Sequence, residues 1–227
     1  MKVISTIISA SLLIGSVTGL LCGLPVSPEG AFKDRRLQKE DKAKYVLVGG
    51  LYFFGGDEAD LLHEVVDITK CPQSDGIYSS NFAVLKLKNE VKDDIKPVNL
   101  PTHLGTGTKP GTIKTALGWG PAPAGGNVSV MLLKLDQQLI SNENCHNMNG
   151  LPIGDMSYMC TGSEEGKGPC IEDAGAPLIH ENSKGDNDDV LIGLLSGGPN
   201  ICGMKESPSI YSNVSLVVDW IITTMKA

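Results

Sequence analysis

Chemistry in this 227-residue chain would have to come from four histidines, six cysteines, an acidic turn and one compact loop. The loop reads Gly168-Pro169-Cys170-Ile171-Glu172-Asp173-Ala174-Gly175-Ala176-Pro177, with Asp173 followed directly by Ala174. An alanine has no oxygen to attack a carbonyl, so acyl transfer through a side-chain nucleophile has no starting point there. The acidic turn, Glu181 and then Asp186-Asn187-Asp188-Asp189, carries charge enough for a calcium loop. It lacks the alternating Asp spacing, the glycine and the distal Glu that such a loop needs, so a solvated hairpin tip is expected. His103, His146 and His180 fall in turn-like stretches, where a solvated ring is the ordinary outcome, and His63 lies at a strand edge. No cofactor and no metal is called for.

Those residues must be positioned by a framework, and its first element is a leader. Lys2 opens an apolar run from Val3 to Val17 with small residues at its end, so residues 1–19 read as an export signal, cleaved after Gly19 or Gly23. No comparable run follows, so a soluble secreted protein is expected, with a single amino-terminal anchor as the minor alternative. Export places Cys22, Cys71, Cys145, Cys160, Cys170 and Cys202 where disulfides form. About fifteen pairings of six cysteines are open. Asn127-Val128-Ser129 and Asn213-Val214-Ser215 are glycosylation sequons, the first the better placed because the second lies near a helix start. The formal charge is −7 and both arginines, Arg35 and Arg36, lie near the amino terminus. Without a basic stripe, a nucleic-acid partner is excluded.

Residues 20–44 are mixed in charge with no apolar stripe, which describes an exposed arm. From Tyr45 onward short β-branched or apolar runs alternate with Gly and Pro punctuation. Tyr45–Val48, Leu51–Phe54, Val65–Ile68, Phe82–Leu87, Val98–Leu100, Thr112–Trp119, Val128–Ile140 and Val190–Ser196 read as strands. Only Val214–Met225 has apolar residues at helical spacing. Many short strands and one terminal helix make an all-β sandwich or barrel.

Six landmarks then fall in the order of the trypsin-like (chymotrypsin-fold) serine proteases. The 168–177 loop resembles that family's Cys followed by Gly-Asp-Ser-Gly-Gly-Pro. Asn81-Phe82-Ala83-Val84-Leu85-Lys86-Leu87 resembles its Asp-Ile-Ala-Leu-Leu-x-Leu, and Gly118-Trp119-Gly120 its Gly-Trp-Gly. The cysteine segments around Cys145 and Cys160, the run Ser196-Gly197-Gly198 with Cys202-Gly203, and the closing segment Pro208–Val214 with Trp220-Ile221 complete the register. The resemblance implies a double Greek-key β-barrel with a C-terminal helix over residues 45–227. The first barrel would span about 45–111, the second about 112–227, and the first would be truncated at its N-terminal side. It also implies the pairs Cys145–Cys160 and Cys170–Cys202, and leaves Cys22 and Cys71 either joined or with Cys71 free and buried. Gly168, Ser196 and Gly198 would be the remains of a specificity pocket.

Departures from the family pattern decide the expected function. Ala174 replaces the nucleophile, Asn81 replaces the orienting Asp, and Glu172 stands at the oxyanion position, where a Cβ opposes φ > 0. No Ala-Ala-His-Cys segment precedes Asn81, so the general base is missing as well. Val48-Gly49-Gly50 lies too close to Asn81 to be an activation terminus and is read as the strand after the missing histidine loop. Asp173, without a freed N-terminal amine, is expected to be solvated or turn-bonded. The protein therefore reads as non-catalytic. It is similar to the glucanase inhibitor proteins of Phytophthora and related oomycetes, which implies a secreted apoplastic effector whose partner is a host endo-β-1,3-glucanase. The alternative is a decoy or regulator of proteases, protease inhibitors or wall glycans.

Overall fold

A computed structural model describes residues 12–13, 18–21, 45–52, 62–72, 81–91, 95, 97–121, 126–162, 164–170, 173–182, 188–198 and 203–226. Its strands are β1 (Leu12–Leu13), β2 (Thr18–Leu21), β3 (Tyr45–Leu47), β4 (Leu62–Lys70), β5 (Ala83–Leu87), β6 (Ile113–Gly118) and β7 (Leu133–Ile140). Helix α1 (Asn142–Asn149) precedes β8 (Tyr158–Thr161), β9 (Pro177–His180), β10 (Val190–Gly197) and β11 (Ser209–Asn213). A 3-10 turn (Val214–Leu216) and helix α2 (Val218–Met225) close the chain. None of the described helices is long and apolar enough to cross a membrane.

The second half is a closed barrel in the order β10-β11-β8-β7-β6-β9. All its pairings are antiparallel, and β6 meets β7 without a break from Ile113↔Gln138 to Gly118↔Leu133. Among the described residues the first half is a five-stranded sheet in the order β1-β2-β5-β4-β3. Strands β1 and β2 fall within and across the end of the run read as an export leader, and β2 pairs with β5 from Thr18↔Lys86 to Leu21↔Ala83. Cleavage after Gly19 or Gly23 would take that strand from the edge of β5 in part or in whole. The signal and arm otherwise lie outside the described residues.

One core fills the barrel and a second joins it to the first sheet. Inside the barrel, Ala116, Leu139, Met159, Leu178, Ile192, Leu195 and Tyr211 pack on one another. On its outer side, Ile179, Leu191 and Leu194 meet Cys71, Phe82 and Val84 of the first sheet, and Val214, Val217 and Ile221 cover them. Strand β10 serves both cores, which is why its sequence is a continuous apolar run instead of an alternating one. The connection 98–100 adds a parallel bridge, Asn99↔Val190, where a longer strand was expected.

Three other expectations are revised. The long strand read over Val128–Ile140 begins only at Leu133, because 128–132 wraps Trp119: Ser129 N–H donates to the Trp119 carbonyl at 2.7 Å and Leu132 N–H to that of Leu51 at 2.9 Å. The terminal helix is split, Val217 ending a 3-10 turn before α2 begins. A second helix, α1, escaped notice because its face is polar and buries only Cys145. Its caps were legible: the Ser141 hydroxyl accepts from Asn144 N–H, and Gly150 closes it at φ 71°.

Phe82 is fully buried at the junction of the halves. Phe82→Ala is expected to lower unfolding free energy by about 3–5 kcal/mol in urea titration, as other buried Phe truncations do. It should also speed proteolysis of the first sheet ahead of the barrel.

Candidate functional site

The loop around Asp173 is built from backbone inward. Asp173 N–H donates to the Cys170 carbonyl at 3.0 Å, and Ala176 N–H to that of Asp173 at 2.7 Å. Gly175, at φ 89°, donates to the Leu195 carbonyl at 2.8 Å, and Leu195 N–H returns a bond to Ala176. These bonds hang Ala174 from β10, one residue before Ser196. Ile171 and Glu172, the proposed oxyanion position, lie outside the described residues, as does Cys202.

Asp173 faces inward and is gripped by two amides. Gly120 N–H donates to Oδ1 at 2.6 Å and Cys170 N–H to Oδ2 at 2.8 Å. The grip also explains the Gly-Trp-Gly motif. A Cβ on Gly118 would lie 2.0 Å from Oδ1, and one on Gly120 2.0 Å from Oδ2, so only glycine fits at either position. Of the two expectations for Asp173, turn-bonding is the one realised.

Asn81 is brought to the same place. Its Nδ2 donates to Ser196 Oγ at 2.7 Å and reaches Ser212 Oγ at 3.5 Å. Ser196 Oγ gives its hydrogen to the Leu194 carbonyl at 3.0 Å, so it accepts from Asn81 and from the Ser212 hydroxyl. The histidines are engaged elsewhere. His103 Nδ1 contacts Thr102 Oγ1, His146 Nδ1 donates to the Leu151 carbonyl, and His180 Nδ1 contacts Lys114. His63 sits on β4 opposite Val46.

The candidate pocket wall is present as backbone. Gly166 N–H donates to the Gly203 carbonyl at 2.8 Å, and a Cβ on Gly168 would lie 2.9 Å from Gly203 N. Gly198 is exposed beyond the end of β10. Cys145 and Cys160 are joined, Cα atoms 6.1 Å apart, and Cys170 is also disulfide-bonded. Cys71 is free and buried, and burial pushes its thiol up in pKa. Asn127 is exposed. Asn213 is 4 % exposed, its Nδ2 donates to the Met156 carbonyl and its Oδ1 accepts from Ser215, so the folded chain presents only the first sequon to a glycan. Among the described residues no group of His, Cys, Asp and Glu could hold a metal ion.

The Trypsin family model matches residues 39–221. The chain belongs to the trypsin family. This trypsin-family chain is 36% identical over 183 residues to glucanase inhibitor protein 3 of Phytophthora sojae, covering 80% of this chain and 68% of that one. It is 37% identical over 186 residues to glucanase inhibitor protein 2 of Phytophthora infestans, covering 81% and 70%. It is also 32% identical over 197 residues to kallikrein-1 of Mus musculus, covering 85% and 69%.

What sequence reasoning missed in this trypsin-family framework is Ser212. It is fully buried on β11 beneath Ser196 and gave no signal beyond a polar residue in a closing segment.

Asp173→Asn exchanges an acceptor for an amide donor facing a backbone N–H. The variant is expected to lose about 2 kcal/mol or more of stability, the usual scale for hydrogen bonds to a charged group. Gly120→Ala, which clashes with the same carboxylate, should lose a comparable amount in the same thermal or urea melt.

Proposed function

We propose that this protein is a secreted, non-catalytic trypsin-family protein that binds a host endo-β-1,3-glucanase in the apoplast and inhibits it. The observation that supports the reading is Ala174, in a loop whose next residues Gly175 and Ala176 bond Leu195 of β10, and Asn81, bonded to the adjacent Ser196; in this reading they stand for the family's nucleophile and orienting carboxylate. A methyl group cannot attack a carbonyl, and an Asn amide cannot orient an imidazolium as a carboxylate does. The relatives named as glucanase inhibitors match across this same framework, which supports inhibition by binding as the remaining use of it.

In this reading residues 1–19 direct export and 20–44 form an exposed arm. The trypsin-like domain spans 45–227, with Cys170–Cys202 closing the wall and Asn127 carrying a glycan. Glu172 occupies the oxyanion position. The acidic charge of −7 suits an extracellular protein partner and no nucleic acid. A second reading, a decoy or regulator of proteases, protease inhibitors or wall glycans, draws on the backbone wall kept at Gly168, Ser196 and Gly198.

A pull-down from apoplastic fluid with the disulfide-intact protein, paired with a laminarin-hydrolysis assay, tests the proposal. Capture of a glucanase with loss of its activity is the expected result. Capture of a protease inhibitor or of glycan without glucanase would move the weight to the decoy. Ala174→Ser should leave hydrolysis of chromogenic peptide substrates at background, because one hydroxyl supplies neither base nor orienting carboxylate. Turnover by that variant would overturn the non-catalytic reading.

A further inference from the structure

Lys114 is a lysine in the wrong place. It is 3 % exposed, on the barrel-facing side of β6, while its neighbour Ile113 is 58 % exposed. Its Nζ lies 2.9 Å from His180 Nδ1 at the end of β9. A lysine nitrogen that keeps its hydrogens can only donate, so Nδ1 must be the acceptor. That fixes His180 as the neutral imidazole with its hydrogen on Nε2.

The other face of the imidazole supports a turn. A Cβ on Gly107 would lie 2.8 Å from His180 Cδ2 and 2.9 Å from Cγ, so the glycine backbone rests directly on the ring. Gly107 is at φ 69°, which ties the position to glycine twice over. The hydrogen bonds of residues 103–109 stay local: Thr106 N–H and Oγ1 to the His103 carbonyl, Thr108 N–H and Oγ1 to that of Gly105, and His103 Nδ1 with Thr102. Among the described residues the turn is tied to the barrel by hydrogen bonds at its far end, where Gly111 N–H donates to the Leu139 carbonyl and Gln138 Nε2 to that of Gly111.

We propose that the Lys114–His180 contact is an acid-sensitive latch, holding the 103–111 turn against the barrel while His180 is neutral and releasing it when His180 takes a proton. Protonation puts a hydrogen on Nδ1, removes the lone pair that Lys114 uses and sets two cations against each other in a half-buried site. The surrounding charges leave the pair uncompensated. From β7, the residue opposite Lys114 is the uncharged Gln137, while Asp136 and Glu181 share the one Thr115 hydroxyl hydrogen and Lys134 faces both carboxylates. Glu181, next to His180 on the opposite strand face, is held by Lys134 and Thr115 at 2.7 Å each. Asp189, from the segment entering β10, accepts from Asn182 N–H. The turn itself brings only exposed His103 and Lys109.

The linkage has one sign. Burial, and then the Lys114 charge, hold the His180 pKa below its ordinary value of about 6.5. Burial likewise lowers that of Lys114. The His180 contribution to stability is therefore whole above about pH 6.5 and is lost as pH falls toward and through the folded value.

Amide hydrogen exchange of the disulfide-intact protein, corrected for the intrinsic pH dependence, tests the latch. Between about pH 7.5 and about pH 5, protection at Thr106 and Thr108 should fall several-fold in the wild type, while the β6–β7 amides keep theirs. His180→Gln, which can accept but not titrate, should flatten that change, and Lys114→Met should shift its midpoint upward toward the ordinary histidine range. The His180 ring resonances give a second readout that needs no variant, and their titration should coincide with the loss of protection. Equal pH dependence in the wild type and His180→Gln, or ring titration with the turn unmoved, would overturn the proposal.

Discussion

The grip of two backbone amides on the Asp173 carboxylate sets the geometry of the barrel as well as of the loop. Because Gly118 and Gly120 lie against that carboxylate, the parity of β6 is fixed: Gly118, Ala116 and Lys114 share one strand face. Ala116 takes its place in the barrel core opposite Leu178. Lys114 is carried inward by the same alternation and Ile113 outward. A one-residue slip would turn Lys114 to solvent and bury Ile113, but it would also move both glycines off Asp173 and Ala116 out of the core. The buried lysine is thus a local cost of a long-range fit, and His180, on the same face of β9 as Leu178, is the acceptor that makes it tolerable.

The outer face of the barrel carries a second dependence. Strand β5 is buried on both faces: Leu85 and Leu87 pack with Val46 and Val48, while Phe82, Val84 and Cys71 lean on β9, β10 and the C-terminal segment. Phe82 follows Asn81, whose amide is bonded to Ser196 of β10. One dipeptide therefore fastens the sheet both by burial and by a hydrogen bond. This placement gives Asn81 a structural duty. With a carboxylate at 81, Ser196 would have to turn its hydrogen away from the Leu194 carbonyl. With the amide, Ser196 keeps that bond and accepts from Asn81 and Ser212 together.

The family, the all-β class and the Cys145–Cys160 pair were legible because they rest on contiguous motifs with distinctive residues. Gly118-Trp119-Gly120 was visible as a motif, but its cause was not: the atoms that exclude a side chain there belong to Asp173, 53 residues away. Lys114 was invisible for a sharper reason. In Ile113-Lys114-Thr115-Ala116, polarity alone puts the isoleucine inside, and the structure inverts it because parity is decided at the other end of the strand. Helix α1 failed the test of apolar spacing, since a short surface helix held by its caps, one buried cysteine and a disulfide needs no apolar stripe.

The parts that fix the Asp173 loop are tight. Among the described residues, Gly120 N–H and Cys170 N–H both bond the Asp173 carboxylate and order the loop. Order of this kind leaves a preformed surface. Preorganisation lowers the entropic cost of binding a protein as readily as that of binding a transition state. Strict glycine packing around Asp173 is therefore compatible with an inhibitor, whose affinity depends on presenting one surface and not on turning over what it binds.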